Sequence, residues 1–265
     1  MTDGTARGAG IPPGYTRLAG AADAVGLATL AGPLAAALGE GSFYAYAEHH
    51  PAARALQGRG TVYAVPLPDG ETRVVVRRSR HGGLLAPLTG EHFLGRTRAP
   101  RELAVALRLA RAGVPTPEVG AYATYPAPPI GRRADVVTRE IPGALDLAAT
   151  LAAFMAADDK RPVLRAVARL LAALTAAGAR HPDLNVKNVL IARDANGDPE
   201  AFVLDVDRVW FDEPGAPRVL ERNLRRLARS AAKMRRLRAL PLDEPDLLWL
   251  GATADELAAA PAAER

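Results

Sequence analysis

The chain has no cysteine, and only 5% of its 265 residues are aromatic. The first absence excludes disulfides, Cys-based zinc sites and thiol chemistry. Histidine is also scarce. Its five copies, including the adjacent His49 and His50, show no metal-ligand spacing, and the pair is read as exposed. No apolar run reaches the length needed to span a bilayer. Met1 to Gly14 is rich in Gly and Pro and lacks a compact apolar stretch behind a basic start, so no secretory signal is expected. The default compartment is the cytoplasm.

What is present suits a globular protein: 49% hydrophobic and 24% charged residues, in a chain long enough for one large or two small domains. The net charge of +5 favours acidic partners such as phosphates or anionic lipid, although heavy use of Ala, Arg, Gly and Pro weakens that inference. No nucleic acid partner is expected.

The most informative segment is His181-Pro182-Asp183-Leu184-Asn185-Val186-Lys187-Asn188, followed by the apolar run Val189-Leu190-Ile191, turn residues Asp194 to Asp198, and Phe202-Val203-Leu204-Asp205. The pattern is loop, strand, turn, strand, acid. It reads as the catalytic loop and metal-binding strand of a protein-kinase-like phosphotransferase, with Asp183 taking or orienting the proton of the attacking hydroxyl. Asn188 and Asp205 supply hard oxygen donors suited to Mg²⁺ bridging phosphates. Singly, Asp183 reads equally as a turn cap and Asp205 as the end of an edge strand. The three at this spacing carry the argument.

Upstream, residues 1–54 read as an N-terminal extension, partly disordered, with a short helix over Ala21 to Leu38. Residues 55–143 read as a kinase-like N-lobe. Gly58 and Gly60 would let the backbone approach nucleotide phosphates, or form a plain turn. A hairpin joins Thr61–Val65 to Thr72–Arg77 through Pro68-Asp69-Gly70. Arg77 stands where a phosphate-contacting cation is expected and Glu102, early in a helix, is its expected partner; the bland alternatives are a solvated strand end and a solvated first-turn glutamate. Val119–Tyr125 and Ala134–Thr138 complete a small antiparallel sheet. Residues 144–265 read as a C-lobe, in which Val163, Leu164, Val167, Leu170, Leu171 and Leu174 form a core stripe.

Gly58-Arg59-Gly60-Thr61, the stretch Arg77 to Leu85, Gly113-Val114-Pro115-Thr116-Pro117 and the Asp183-Leu184-Asn185 loop together resemble the bacterial 3-deoxy-D-manno-octulosonic acid (Kdo) kinases of the lipopolysaccharide kinase group. The resemblance spans residues 55 to 240. It implies an α+β, two-lobed protein-kinase-like fold, a small antiparallel N-lobe sheet and a mainly helical C-lobe. It also implies use of ATP and Mg²⁺ to phosphorylate the 4-hydroxyl of Kdo on a lipid A precursor at the cytoplasmic face of the inner membrane. On this resemblance Asp183 is the base, Asn188 and Asp205 are the metal ligands, and Arg77 with Glu102 positions the phosphates. Pro182 replaces the Arg of protein kinases, so control through a phosphorylated activation loop is not expected. Val206 replaces the aromatic common between the two acids Asp205 and Asp207.

No Ala-Pro-Glu element follows Asp205, so a small or lipid-linked acceptor is expected and a protein substrate is not. Arg218 to Leu240 reads instead as a basic amphipathic helix, able to lie on an anionic membrane surface, to hold lipid A phosphates, or to pack by its Leu face with solvated arginines. Arg80 and His81, beside Gly82 and Gly83, read either as an anion-binding concavity for the substrate or as a turn. Two rival functions stay open: another small-molecule phosphotransferase, of aminoglycoside- or heptose-kinase type, and a non-catalytic binding module.

Overall fold

The computed structural model describes residues 10–20, 23–56, 61–79, 93, 95, 97–154 and 159–260. The chain divides into two compact units, Met1–Ala104 with Glu118–Glu140 and Val105–Pro117 with Ile141–Arg265.

The first unit is built on a seven-stranded antiparallel sheet. Its strands are β1 (Tyr15–Arg17), β2 (Asp23–Leu27), β3 (Arg54–Leu56), β4 (Val62–Pro66), β5 (Arg73–Arg78), β6 (Val119–Pro126) and β7 (Arg132–Arg139), in the order β1-β2-β6-β7-β5-β4-β3. The expected β4–β5 hairpin forms with Val65 opposite Val74, and Gly70 takes the positive φ its turn demands. Helices α1 (Ala31–Gly39) and α2 (Phe43–His49) bury Leu34, Phe43 and Tyr46 against Val65, Val74, Val76 and Val137.

Two readings of the N-terminal segment need correction. Its described part is no appendage, because residues 15–56 supply three strands and both of these helices to the unit. The helix expected over Ala21 to Leu38 begins only at Ala31, since Asp23–Leu27 is drawn into strand pairing with β6, Val25 opposite Tyr122. Five residues of mixed polarity carry too little periodicity to announce a strand.

The start of α2 rests on polar groups. Ser42 Oγ accepts from Ala45 N, Tyr125 OH accepts from Phe43 N at 3.0 Å, and Asp135 Oδ2 accepts from Tyr44 N at 3.0 Å. These contacts satisfy donors that a helix leaves orphaned at its first turn. Asp135 is buried, which pushes its carboxyl up to about 6 against the opposing pull of the Tyr44 N–H and of Arg78.

Helix α3 (Ala99–Arg111) contains the division between the units. The second unit adds β8 (Leu145–Asp146), α4 (Leu147–Ala152), α5 (Arg161–Ala176), β9 (Ala179–Arg180), β10 (Val189–Arg193), β11 (Pro199–Val203), β12 (Trp210–Phe211), α6 (Pro217–Arg238) and α7 (Glu244–Ala259). The α5 stripe is core, as its spacing predicts: Val163, Leu164, Val167, Leu170, Leu171 and Leu174 are all buried. Truncating one of these leucines to Ala costs roughly 2–5 kcal/mol. Helix α5 ends at Gly178, which has φ +66 and lies so close to the Asp212 carbonyl that a Cβ there would collide with it. The chain then enters β9, paired with β12, and runs into the loop that carries Asp183.

Candidate active site

The loop from His181 to Asn188 is fixed by its own side chains. Asn185 Oδ1 accepts from Lys187 N and Asn188 N, while Asn185 Nδ2 and Asn188 Nδ2 both donate to the Asp183 carbonyl at 2.9 Å. With its nitrogen committed to that carbonyl, the Asn188 amide keeps its Oδ1 as the acceptor atom. The ring of buried His181 links two segments. Asp183 N donates to Nδ1 at 3.2 Å, which leaves the proton on Nε2, and Nε2 donates to the Leu204 carbonyl at 2.8 Å. Burial holds the imidazole below its ordinary pKa, so the ring stays neutral and can perform both tasks.

Asp205 arrives by the expected ribbon. Strands β10 and β11 pair antiparallel with Val189 opposite Val203, and the turn between them is held by Asp194 Oδ1 accepting from Asn196 N and Asp198 N. Past the ribbon, Leu204 N donates to Asn188 O at 2.9 Å. The backbone before Asp205 therefore lies beside that of Asn188. Asp205 adopts a left-handed conformation, φ 55 and ψ 47, and opens a 3-10 turn over Val206–Arg208. Such a conformation is strained for most L-residues and is tolerated best by Asp, Asn and Gly. Here it turns the chain at the acid itself.

This donor set fits a divalent cation. Among the described residues, no group of three or more His, Cys, Asp or Glu side chains could hold a metal ion. Asn188 and Asp205 instead offer hard oxygens from adjacent backbone segments, and a site with few protein donors is the kind Mg²⁺ uses when phosphates and water complete its shell.

Helix α6 presents three polar side chains at successive turns to this loop. Buried Asn223 accepts from His181 N and donates to Ala179 O, both at 2.9 Å. Arg226 Nη2 donates to Asp183 Oδ1 at 3.0 Å, and Ser230 Oγ accepts from Val186 N at 3.3 Å. The sequence reading missed His181, Asn185 and Asn223, and took Arg226 only as part of a basic surface. The i, i+3, i+7 spacing of Asn223, Arg226 and Ser230 on one helix face was the available signal. Leu220, Leu227 and Ala231 of the expected apolar face are buried, whereas Arg222, Arg225, Arg229, Lys233, Arg235, Arg236 and Arg238 are exposed.

In the first unit, Arg77 on β5 and Glu102 on α3 form an ion pair. Glu102 is buried, which removes the reading of it as a solvated first-turn residue. Neighbouring Arg78 stacks over the Tyr44 ring, 3.8 Å from its centroid. Gly58, Gly60, Arg80 and His81 lie outside the described residues.

Known proteins resemble this chain in sequence and in fold. A model of the lipopolysaccharide kinase (Kdo/WaaP) family matches residues 46–248. The 3-deoxy-D-manno-octulosonic acid kinase of Xanthomonas oryzae pv. oryzae is 35% identical over 184 residues, which cover 67% of this chain and 68% of that one. A kinase with the same name from Vibrio parahaemolyticus is 29% identical over 185 residues, covering 66% and 71%. Among solved structures, WaaP in complex with acyl carrier protein superposes with a TM-score of 0.51 at 21% identity over 80% of each chain, a likeness of fold.

Proposed function

Because the chain belongs to the lipopolysaccharide kinase (Kdo/WaaP) family, we propose that it transfers the γ-phosphoryl group of ATP to the 4-hydroxyl of a Kdo residue on a lipid A precursor. Membership makes it a phosphotransferase acting on a hydroxyl group. Kdo as the acceptor rests on the names of its relatives. The observation that carries the assignment of residues is the hydrogen-bonded junction of loop and ribbon, in which His181 and Asn188 tie the Asp183 backbone to Leu204, next to Asp205.

In this reading Asp183 accepts or orients the proton of the acceptor hydroxyl, and Asn188 Oδ1 with the Asp205 carboxylate holds Mg²⁺. When bound, the ion neutralises phosphate charge and orients the transferred group. Arg77, braced by Glu102, contacts the nucleotide phosphates through its planar fork. Neutral His181 keeps Asp183 and the Leu204 carbonyl at fixed separation, a task of positioning. Among the described residues no helix is long and apolar enough to cross a membrane. The exposed cations of α6 suit attachment to an anionic bilayer surface, where each adds about 1 kcal/mol of attraction.

The test is direct. Purified protein with Mg·ATP and a Kdo-bearing lipid A precursor should add one phosphate by mass, assigned to the 4-hydroxyl by phosphorus–proton coupling. Asp183→Ala and Asp205→Ala should each lower turnover by about 1,000-fold or more without loss of fold. Phosphorylation of a heptose or an aminoglycoside in place of Kdo would reassign the acceptor. Failure to bind Mg·ATP would leave a kinase-fold binding module.

A further inference from the structure

We infer that Arg226 binds the carboxylate of the acceptor beside Asp183 and so restricts phosphoryl transfer to acidic sugars. The inference rests on the Kdo reading above, since a Kdo residue carries a carboxylate, whereas neutral and cationic sugars do not.

Arg226 is under-used by the protein around it. Among the described residues its hydrogen bonding is the single Nη2 donation to Asp183 Oδ1 at 3.0 Å. A guanidinium has five N–H donors in a rigid plane, and a paired carboxylate ordinarily takes two of them side by side. Here the Nε–H is shut off from water and has no acceptor. An arginine that gives its carboxylate partner one N–H where two are customary keeps guanidinium donors for a second acceptor, and since Nε is enclosed these must lie on the accessible part of the side chain. The side chain as a whole is 38% exposed, and the group it touches, Asp183, is 31% exposed. A ligand can therefore reach the pair.

A purely structural role explains these facts less well. The loop is already held to α6 on both sides of Arg226, by Asn223 on His181 N and Ala179 O and by Ser230 on Val186 N. A part-exposed ion pair adds little to what those contacts secure. What Arg226 does supply is a fixed positive charge within hydrogen-bond distance of the proposed base. The hydroxyl to be phosphorylated must approach Asp183. A carboxylate on the same sugar ring then falls within reach of the adjoining guanidinium, whose fork matches two carboxylate oxygens as an ammonium does not. Arg222 and Arg229, one turn to either side on α6, are exposed and extend the positive surface around Arg226.

The experiment compares kcat/KM for the Kdo-bearing acceptor and for the same acceptor with its carboxylate converted to the neutral amide, using the full chain with Mg·ATP. The wild type should prefer the acid. Arg226→Gln should lower kcat/KM for the acid by about 10- to 100-fold more than for the amide, the loss residing mainly in KM. Arg226→Lys, which keeps the charge without the fork, should show the same acid-specific loss at smaller size, and it serves as the readout if Arg226→Gln does not fold. Equal losses on the two acceptors would show that Arg226 acts only through Asp183 and would overturn the inference. Equal use of acid and amide by the wild type would also overturn it. Wild-type turnover of neutral sugars with none of Kdo would overturn the acceptor assignment itself, a failure distinct from the first two.

Discussion

The Arg77–Glu102 and Arg226–Asp183 pairs differ in how much water they meet. In the first unit, the side chains of Arg77 and Glu102 are 23% and 5% exposed; in the second, those of Arg226 and Asp183 are 38% and 31% exposed. Charges removed from water compensate one another, and deleting one strands its partner in a medium that cannot solvate it. Charges left part-exposed are screened and add little stability, but they remain able to exchange partners. The same pairing is thus enclosed in one unit and open to water in the other.

The sharpest way to break that contrast is to remove one acid from the enclosed pair. Glu102→Gln should destabilise the protein by about 3–5 kcal/mol in urea unfolding, since an enclosed ion pair loses its acid. Arg226→Met, in the open pair, should cost less than about 1 kcal/mol. Comparable losses would end the distinction.

A second enclosed acid tests the same idea through pH. The Asp135 carboxyl is raised from 3.8 to about 6 by burial. Between those values the folded state keeps a proton that the unfolded state has released, so Asp135 lowers stability as pH rises through this window. The change amounts to about 3 kcal/mol. Asp135→Asn, which retains an acceptor for Tyr44 N, should be flatter with pH and gain on the wild type towards neutrality; parallel stability curves would refute the burial cost.

A further substitution sharpens the account of the second unit. Asn223→Leu removes the partners of His181 N and Ala179 O, and should cost about 2 kcal/mol in stability. Turnover should fall with it, since the loop bearing Asp183 loses a tether. A stable variant of full activity would show that Ser230 and the loop's own amides suffice.

Legibility in the sequence followed the range of the interaction. The β10–β11 ribbon, its turn and the α5 stripe were readable because each is a local pattern of polarity and turn residues. The Arg77–Glu102 pair was readable only from the order of elements expected of a kinase-like lobe, as nothing local links a strand to a helix 25 positions away. The contacts of Arg226 and Asn223 reach 43 and 42 residues back along the chain and left no trace beyond a shared helix face. Strands β1 and β2 were missed for another reason. They are short, and their strand character comes from pairing with each other and with β6 rather than from intrinsic propensity.

Gly178 gives the loop a fixed starting phase. Its positive φ and its contact with the Asp212 carbonyl leave room for hydrogen alone at that α-carbon. Three residues later the chain reaches His181, whose two ring nitrogens must each meet a particular backbone atom. A methyl group at 178 would push β12 away from β9 and carry the imidazole off both appointments at once. One missing side chain at a helix end thereby sets the clearance on which the placement of the Asp183 loop depends.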